Sequence, residues 1–206
     1  QGLAGVSYEV KLDFVDWKLD KGVEASAFDF TPPDGVEKVD TFNPHAKGGP
    51  KPTPAAGAEG LVGKPAPGFS LDVLGGGKAD LAAHKGKDIV VLDFWATWCG
   101  PCRRALPVIA SACGKFENVK MYAVNLREDV ERISKFLETQ DLKVTVALDK
   151  GETGQAYGAN RIPLSIVIDK DGVVQAIHRG FSDDLGSQLE GELKQLLEGK
   201  KLAPPQ

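Results

Sequence analysis

Residues 89–107, IVVLDFWATWCGPCRRALP, join an apolar run to a helical run through two closely spaced cysteines. The run from Asp88 to Trp95 shows little alternation of polar and apolar residues, which is typical of a strand at the buried centre of a sheet. A helix is predicted from Gly100 to Phe116, and Pro101 suits its first turn, where the missing N–H costs nothing. The pattern therefore predicts a buried strand, a turn that carries the cysteines, and a helix.

The spacing of Cys99 and Cys102 favours redox chemistry. Cys99 lies where the helix begins, and unpaired backbone N–H groups and the positive end of the helix dipole stabilise a thiolate there. Cys102 lies in the first turn, faces back toward Cys99 and can resolve a mixed disulfide. A structural disulfide or a zinc site stays open as an alternative, although tetrahedral zinc needs two further ligands. The candidates for those ligands, which form no second pair, are Cys113, His45, His84 and His178.

Asp93 is a carboxylic acid inside an otherwise apolar strand. An ionised carboxylate is costly to bury, so we expect a raised pKa for Asp93. A raised pKa would let Asp93 exchange a proton with Cys102. The alternative is a purely structural carboxylate that is satisfied by hydrogen bonds.

Cys113 lies about 16 Å beyond Cys102 along a continuous helix. Because a disulfide needs Cα atoms within about 7 Å, Cys113 is predicted to be a small buried side chain.

Strands and helices alternate along the chain from Leu61 onward. The last two strands are joined by Lys170-Asp171-Gly172, which is a hairpin signal. Alternating strands and helices followed by a hairpin predict an α/β fold, a three-layer sandwich with a mixed central sheet. The predicted strands are 69–71, 78–80, 88–95, 120–125, 144–148, 164–169 and 173–178, and the predicted helices are 100–116, 127–139, 152–157 and 183–197.

The chain before the α/β domain divides into a strand-forming segment and a linker. Twelve of the 25 residues from Pro44 to Gly68 are Gly or Pro, and they predict a semi-extended linker at 43–60, with a long surface loop as the alternative. Residues 1–42 show the alternation of strands, but two strands alone make only a marginally stable hairpin. We expect this segment to be a β-strand remnant, the tail of an upstream β-domain, and the main domain to cover 61–206.

Composition and charge argue against two classes of partner. The 206 residues carry a formal net charge of −4, and this excess of acid over base argues against nucleic acid as a partner, because neutralising its phosphates needs a basic face. The longest wholly apolar run in the core region, 89–92, is far shorter than the roughly 20 residues of a membrane-spanning helix. We expect no nucleic-acid partner, no transmembrane span, no metal, and no cofactor besides a redox-active disulfide.

The segment Asp93-Phe94-Trp95-Ala96-Thr97-Trp98-Cys99-Gly100-Pro101-Cys102 resembles the active-site segment of the thioredoxin superfamily. Upstream, Gly63-Lys64-Pro65-Ala66-Pro67-Gly68-Phe69 is similar to the TlpA/ResA-like branch, which is also the redoxin or AhpC/TSA branch. The resemblance spans roughly residues 61–200 and implies a thioredoxin-like sandwich. Separately, Asp16-Trp17-Lys18 and the run from Phe28 to Gly35 resemble the C-terminal strands of LolA-like lipoprotein carriers.

For the cysteine segment, the resemblance implies a thiol–disulfide cycle. Cys99 would attack a substrate disulfide, Cys102 would resolve the mixed disulfide, and Asp93 would exchange the proton. Gly100 and Pro101 set the spacing of the thiols, and a Gly-Pro spacer resembles that of reducing members of the family. The implied function is a thiol–disulfide oxidoreductase that reduces protein disulfides. Its implied partners are a disulfide-bearing protein and an upstream electron donor.

The resemblance also implies a surface for the substrate. Arg161-Ile162-Pro163 matches the cis-proline loop that lies against the cysteine pair. A cis X–Pro bond is a minority state, and a proline at the entry of a strand is the alternative for Pro163. The backbone of Ile162, just before Pro163, would pair with an extended substrate segment by strand addition. Trp98 would shape the contact surface beside Cys99. Trp95 would support the strand end, with a plain core aromatic as the alternative.

Two other functions compete with the thiol–disulfide cycle. Redoxin sequences overlap the peroxiredoxins, which carry Pro and Thr seven and three residues before the reactive cysteine; here those positions are Leu92 and Ala96, which disfavours a peroxidase. The other is a non-enzymatic envelope carrier or scaffold with a thioredoxin-like docking module, against which the intact Cys99 and Cys102 argue. Both resemblances imply a bacterial cell envelope, specifically the periplasm, although the chain shows no signal peptide.

Overall fold

The computed structural model describes residues 58–202. The β-strand segment predicted at 1–42 and most of the linker predicted at 43–60 lie outside the described residues, as do residues 203–206. A single 3-10 turn, Ala58–Leu61, spans the predicted boundary between linker and domain. Ala58 is buried in the core, so the ordered packing includes the last residues of the predicted linker.

The described strands form one mixed sheet. They are β1 Ser70–Val73, β2 Lys78–Asp80, β3 Ile89–Trp95, β4 Val119–Leu126, β5 Val146–Asp149, β6 Leu164–Ile168 and β7 Val174–Arg179. Their order across the sheet is β2-β1-β5-β4-β3-β6-β7. β3 runs parallel to β4 and antiparallel to β6, and its seven residues are all buried, as its unbroken apolar run predicts.

Helices cover both faces of the sheet because successive side chains of β3 point to opposite sides. The described helices are α1 Gly100–Cys113, α2 Val130–Thr139, α3 Glu152–Ala156 and α4 Leu185–Leu197. On one face, Ile89 and Val91 pack against α1 and α4, and Trp95 packs against α1 and α2. On the other face, Phe94 and its neighbours pack against Tyr157, just after α3. This arrangement confirms the predicted three-layer α/β sandwich.

The largest differences between predicted and observed boundaries are three residues. α2 begins at Val130 and not at Arg127, because Arg127 has a left-handed backbone with φ 60° and cannot start a helix. α1 ends at Cys113 and not at Phe116. Within residues 58–202, no helix is long and apolar enough to cross a bilayer.

Cys113 is a free thiol at the end of α1, and it is only 3% exposed. Its packing beside Ile109 and Ala112 confirms the prediction of a small buried side chain. Burial raises the pKa of the Cys113 thiol to about 12, and the charge of Asp93 adds to the rise. Because the thiolate is the reactive form, a raised pKa disfavours chemistry at Cys113 near neutral pH.

Candidate active site

Cys99 and Cys102 stand where α1 begins and are joined in a disulfide, with their Cα atoms 5.2 Å apart. Cys99 is the N-cap of α1, and its Sγ accepts a hydrogen bond from the Cys102 N–H at 3.2 Å. Gly100 and Pro101 occupy the first two helical positions, where a proline N–H would lack a partner anyway. In the reduced pair, the same N–H and the helix dipole would stabilise a thiolate on Cys99.

The two cysteines differ in their exposed surface. Cys99 keeps 5% of its surface exposed, whereas Cys102 is fully buried against Leu106 and Ala123. A disulfide that approaches from solvent therefore meets Cys99 first. Cys102 can reach only a partner that is already attached to Cys99.

Asp93 lies fully buried in β3, between Ala123 of β4 and Ser165 of β6. The Ser165 hydroxyl donates to Asp93 Oδ1 at 3.0 Å, and Oδ2 has no partner among the described residues. Burial raises the pKa of Asp93 to about 7, and the Ser165 hydrogen bond offsets only part of the rise. Ala123 packs in the same cluster as Cys102, so Asp93 lies on the face of β3 that α1 covers.

The Ile162–Pro163 peptide bond is cis, as predicted. Ile162 is half-buried and packs on the apolar cluster that contains Cys99 and Cys102. The Pro163 C=O accepts a hydrogen bond from the Gly180 N–H at 2.9 Å, which ties the loop to the end of β7. Within residues 58–202, Ile162 makes no backbone hydrogen bond, so its N–H and C=O are unpaired next to the cysteines.

The two tryptophans near the cysteines have opposite environments. Trp98 is 66% exposed and lines a cleft of about 480 Å³ together with Leu126, Arg127 and Gly158. Trp95 is fully buried, with its ring centroid 5.3 Å from that of Phe136. The structure therefore places Trp98 on the surface beside Cys99 and Trp95 in the core, where its Nε1 has no partner among the described residues.

Comparison with known proteins agrees with this geometry. The model of the AhpC/TSA family matches residues 62–177. The chain belongs to the AhpC/TSA family. Thiol-disulfide oxidoreductase ResA of Bacillus thuringiensis subsp. konkukian is 37% identical over 147 residues, which cover 69% of this chain and 79% of ResA. Thioredoxin-like protein YneN of Bacillus subtilis is 33% identical over 140 residues, 66% of this chain and 78% of YneN.

Solved structures extend the likeness to the fold. A Chlorobium tepidum protein assigned as thiol:disulfide interchange protein DsbE superposes with a TM-score of 0.57 and 36% identity. The superposition covers 66% of this chain and 96% of that protein. This AhpC/TSA protein is therefore a thiol–disulfide oxidoreductase of the ResA-like branch, with a thioredoxin-like fold.

The site of this AhpC/TSA protein contains a residue that sequence reasoning missed, Glu128. Its carboxylate accepts hydrogen bonds from the Thr97 N–H at 2.6 Å, the Thr97 hydroxyl at 2.5 Å and Asn125 Nδ2 at 2.8 Å. Arg132 Nε lies 3.3 Å from the same carboxylate and donates to the Thr97 hydroxyl at 2.9 Å. Glu128 thereby ties the loop just before Cys99 to the loop between β4 and α2.

The charge of Glu128 is retained although its side chain is only 6% exposed. Burial favours the neutral acid, but the hydrogen bonds from Thr97 and Asn125 outweigh it and hold the pKa below its ordinary value of 4.5. No local signal marks this residue, because Thr97 lies 31 positions earlier in the chain. Only the pairing of β3 with β4, which sets Trp95 opposite Asn125, brings the two loops together.

We expect Glu128→Gln to lower the free energy of unfolding by about 1–3 kcal/mol at pH 7, because buried hydrogen bonds to a charged acceptor are lost. Since the folded pKa is depressed, this stabilisation is present above the unfolded pKa of 4.5 and disappears as the pH falls through the folded pKa. Urea unfolding of both proteins from pH 7 to pH 3 should therefore show a difference that narrows in acid. Glu131→Gln, at an exposed neighbour on α2, is the control. Equal stability of the Glu128→Gln protein and the wild type at pH 7 would refute the assignment.

Proposed function

We propose that the protein reduces disulfide bonds of other proteins by cycling Cys99 and Cys102 between dithiol and disulfide. The observation that carries this proposal is the position of Cys99 at the N-cap of α1, where its sulfur accepts the Cys102 N–H at 3.2 Å. A helix N-terminus lowers the pKa of a thiol, and the thiolate is the nucleophile. The redox group is the cysteine pair itself, and the proposed cycle uses no further cofactor.

The proposed cycle moves two electrons and two protons to the substrate. The Cys99 thiolate attacks one sulfur of the substrate disulfide, and the other substrate sulfur leaves as a thiolate and takes a proton from solvent. Cys102 then gives its proton to Asp93 and attacks Cys99, which breaks the mixed disulfide and releases the second substrate thiolate. That thiolate takes up the second proton, and an upstream donor must later return two electrons and two protons to the cysteine pair.

The surface around Cys99 is suited to an extended polypeptide. The unpaired N–H and C=O of Ile162 can form main-chain hydrogen bonds with a substrate strand that passes the cysteines. A Cβ atom at Gly100 would meet nothing within 4 Å, so this position leaves space for a chain to approach. Trp98 offers an exposed apolar ring on the same surface. We assign Ile162, Pro163, Gly100, Pro101 and Trp98 to substrate contact or to its support, and Trp95 to support from the core.

The proposed direction of the reaction is reduction, because the Gly-Pro spacer resembles that of reducing family members. We expect a reduction potential below about −220 mV for the Cys99–Cys102 pair, close to that of thioredoxin. Equilibration with glutathione or dithiothreitol buffers, followed by mass measurement of the thiol and disulfide forms, gives this value. A potential near −120 mV, typical of a strong oxidant, would contradict the proposed direction.

A peroxidase function is less well supported by the described residues. The positions that hold Pro and Thr in peroxiredoxins are Leu92 and Ala96, and both are apolar and fully buried. They therefore offer no polar group to a peroxide beside Cys99. Fast consumption of peroxide with oxidation of Cys99 would restore this alternative.

The proposed compartment is the bacterial cell envelope, in the periplasm, as the TlpA/ResA-like resemblance implies. Protein disulfides persist in oxidising compartments of this kind, so a reductant there has substrates. The proposed partners are a disulfide-bearing protein and an upstream electron donor. The non-enzymatic scaffold is the hypothesis that the next experiment distinguishes from the enzyme.

Reduction of insulin in the presence of dithiothreitol tests the proposed function. We expect catalytic amounts of the protein to accelerate the loss of insulin disulfides at least about tenfold over dithiothreitol alone, because Cys99 is held as a thiolate. The matched control is the same protein with both active-site cysteines replaced by alanine. A rate equal to that of this control would refute the oxidoreductase function and favour a scaffold.

A further inference from the structure

The arginines of this chain are concentrated at one place. The chain has six arginines among its 25 basic residues and an overall charge of −4, and five of the six lie on the elements around the cysteine pair. The sixth, Arg179 on β7, forms an ion pair with Glu59. The five arginines around the cysteines are Arg103, Arg104, Arg127, Arg132 and Arg161.

Contacts place these arginines on different sides of the cysteine pair. From α1, the guanidinium of Arg103 lies 5.7 Å from the ring centroid of Phe136 on α2. The guanidinium of the adjacent Arg104 lies 4.8 Å from the ring centroid of Phe181, which follows β7. Arg103 and Arg104 therefore extend from α1 in different directions.

The remaining arginines lie on two loops and on α2, near the cysteine site. Arg127 lines the same cleft as Trp98. Arg161 is exposed and directly precedes Ile162 of the cis-proline loop. Arg132 differs from the others, because it is engaged with Glu128. We call Arg103, Arg104, Arg127 and Arg161 the arginine rim.

The guanidinium groups of the arginine rim have no carboxylate partner within 4 Å among the described residues. Among residues 58–202, none of the four forms an ion pair, and Asp129 and Glu131 in the β4–α2 region do not pair with them either. Some lysines elsewhere on the described surface form ion pairs, such as Lys78 with Asp72, Lys115 with Glu190 and Lys200 with Glu198, and other lysines form none. Unpaired exposed guanidinium groups are free to bind carboxylates from another molecule, often with two parallel hydrogen bonds.

We infer that the arginine rim binds an acidic segment that flanks the disulfide of the substrate protein. The inference rests on the proposed function, because it assigns a charge to the substrate of that same site. The rim residues lie on α1, in the cleft of Trp98 and next to the cis-proline loop, which are parts of the cysteine site, so a ligand held there is useful only if it brings a disulfide to Cys99. An anionic lipid surface would match the charge but would supply no disulfide. Charge complementarity of this kind raises the association rate and disfavours cationic partners.

Two matched disulfide peptides test this inference. They share one internally disulfide-bonded sequence and differ only in flanks, which carry two aspartates on each side in one peptide and two lysines in the other. We expect kcat/KM at low ionic strength to be at least about fivefold higher for the acidic peptide, and the ratio to fall toward one in 0.5 M salt, where screening acts over about 4 Å.

Charge-removing variants locate the effect. The preference for the acidic peptide should be abolished in a triple variant that combines Arg103→Gln, Arg127→Gln and Arg161→Gln. Lys78→Gln, Lys115→Gln and Lys200→Gln combined remove the same charge from distant parts of the surface and should preserve the preference. Turnover of bis(2-hydroxyethyl) disulfide, which has no charge, should be retained in both triple variants.

Three outcomes would overturn the inference. The first is an equal kcat/KM for the two peptides, and the second is the same loss of preference in both triple variants. The third is that the wild type binds vesicles with 30% phosphatidylserine in a salt-sensitive way, and that the arginine variant loses this binding but keeps the preference for the acidic peptide. Failure of the proposed function looks different, because then neither peptide nor the uncharged disulfide would be reduced.

Discussion

The Cys102→Ser protein is expected to hold its substrate in a mixed disulfide through Cys99 and to lose turnover by at least about 100-fold. Cys99 remains the N-cap of α1 in this variant and can still attack. In this variant no thiol can release the product, because the remaining cysteine, Cys113, is buried at the far end of α1. The first half of the cycle therefore proceeds and the second half stops.

The Cys99→Ser protein should lose turnover to the same extent but trap nothing. Its remaining active-site thiol, Cys102, is completely buried and cannot meet a substrate disulfide. Incubation of each reduced variant with native insulin, whose disulfides are intact, followed by non-reducing electrophoresis and mass measurement, separates the two results. Cys113→Ala is the matched control and should behave like the wild type. Trapping by Cys99→Ser, or full turnover by Cys102→Ser, would reverse the assigned roles.

The Asp93→Asn protein is expected to resolve the mixed disulfide about 100-fold more slowly at pH 7, because general base catalysis at Cys102 is lost. The wild-type rate of this step should rise with pH through an apparent pKa near 7, as Asp93 loses its proton. The variant should lack that rise. Rapid-quench measurement of the mixed disulfide from pH 5 to pH 9 gives both profiles.

Ser165→Ala is the matched control for the role of Asp93. It keeps the carboxylate but removes the hydrogen bond that lowers the pKa of Asp93, so the rise in rate should move to higher pH while the maximum is retained. A purely structural role for Asp93 would predict no shift in the pH profile. An Asp93→Asn profile that matches the wild type would rule out the proposed proton exchange.

Asp93 also makes stability depend on pH. Its folded pKa of about 7 lies above the ordinary value of 3.8, so the folded state holds a proton that the unfolded chain has released between these values. The contribution of Asp93 to the free energy of unfolding is therefore largest below about pH 4. This contribution, about 4 kcal/mol, is lost as the pH rises through 7. Asp93→Asn should be more stable than the wild type above pH 7 and show less change with pH in urea unfolding.

The cysteine helix and the buried strand were predictable because their signals are local. An unbroken apolar run, a Cys-Gly-Pro-Cys turn and a first-turn proline act over neighbouring residues, and the structure places each of them as expected. The start of α2 was not predictable in this way, because Arg127 has a left-handed backbone and the adjacent Glu128 bonds to Thr97, 31 positions earlier in the chain.

Contacts between distant segments account for what the sequence could not supply. The hydrogen bonds of Glu128 depend on the parallel pairing of β3 and β4, and the arginine rim depends on α1 and two loops that meet only after folding. Hydrophobic periodicity predicts which face of a helix or strand is buried, but it does not predict which polar side chains meet at the ends of strands. The charged groups around Cys99 could therefore be found only from the structure.

The unequal environments of the three cysteines have a practical consequence for chemical labelling. In the reduced protein, we expect a maleimide dye to react with Cys99, because the helix N-terminus favours its thiolate, whereas Cys102 is fully buried and burial raises the pKa of Cys113 to about 12. Toward such a reagent, a chain with three thiols behaves as if it had one. A single fluorophore or cross-linker can thus be attached at the reacting atom without first removing the other cysteines by mutation.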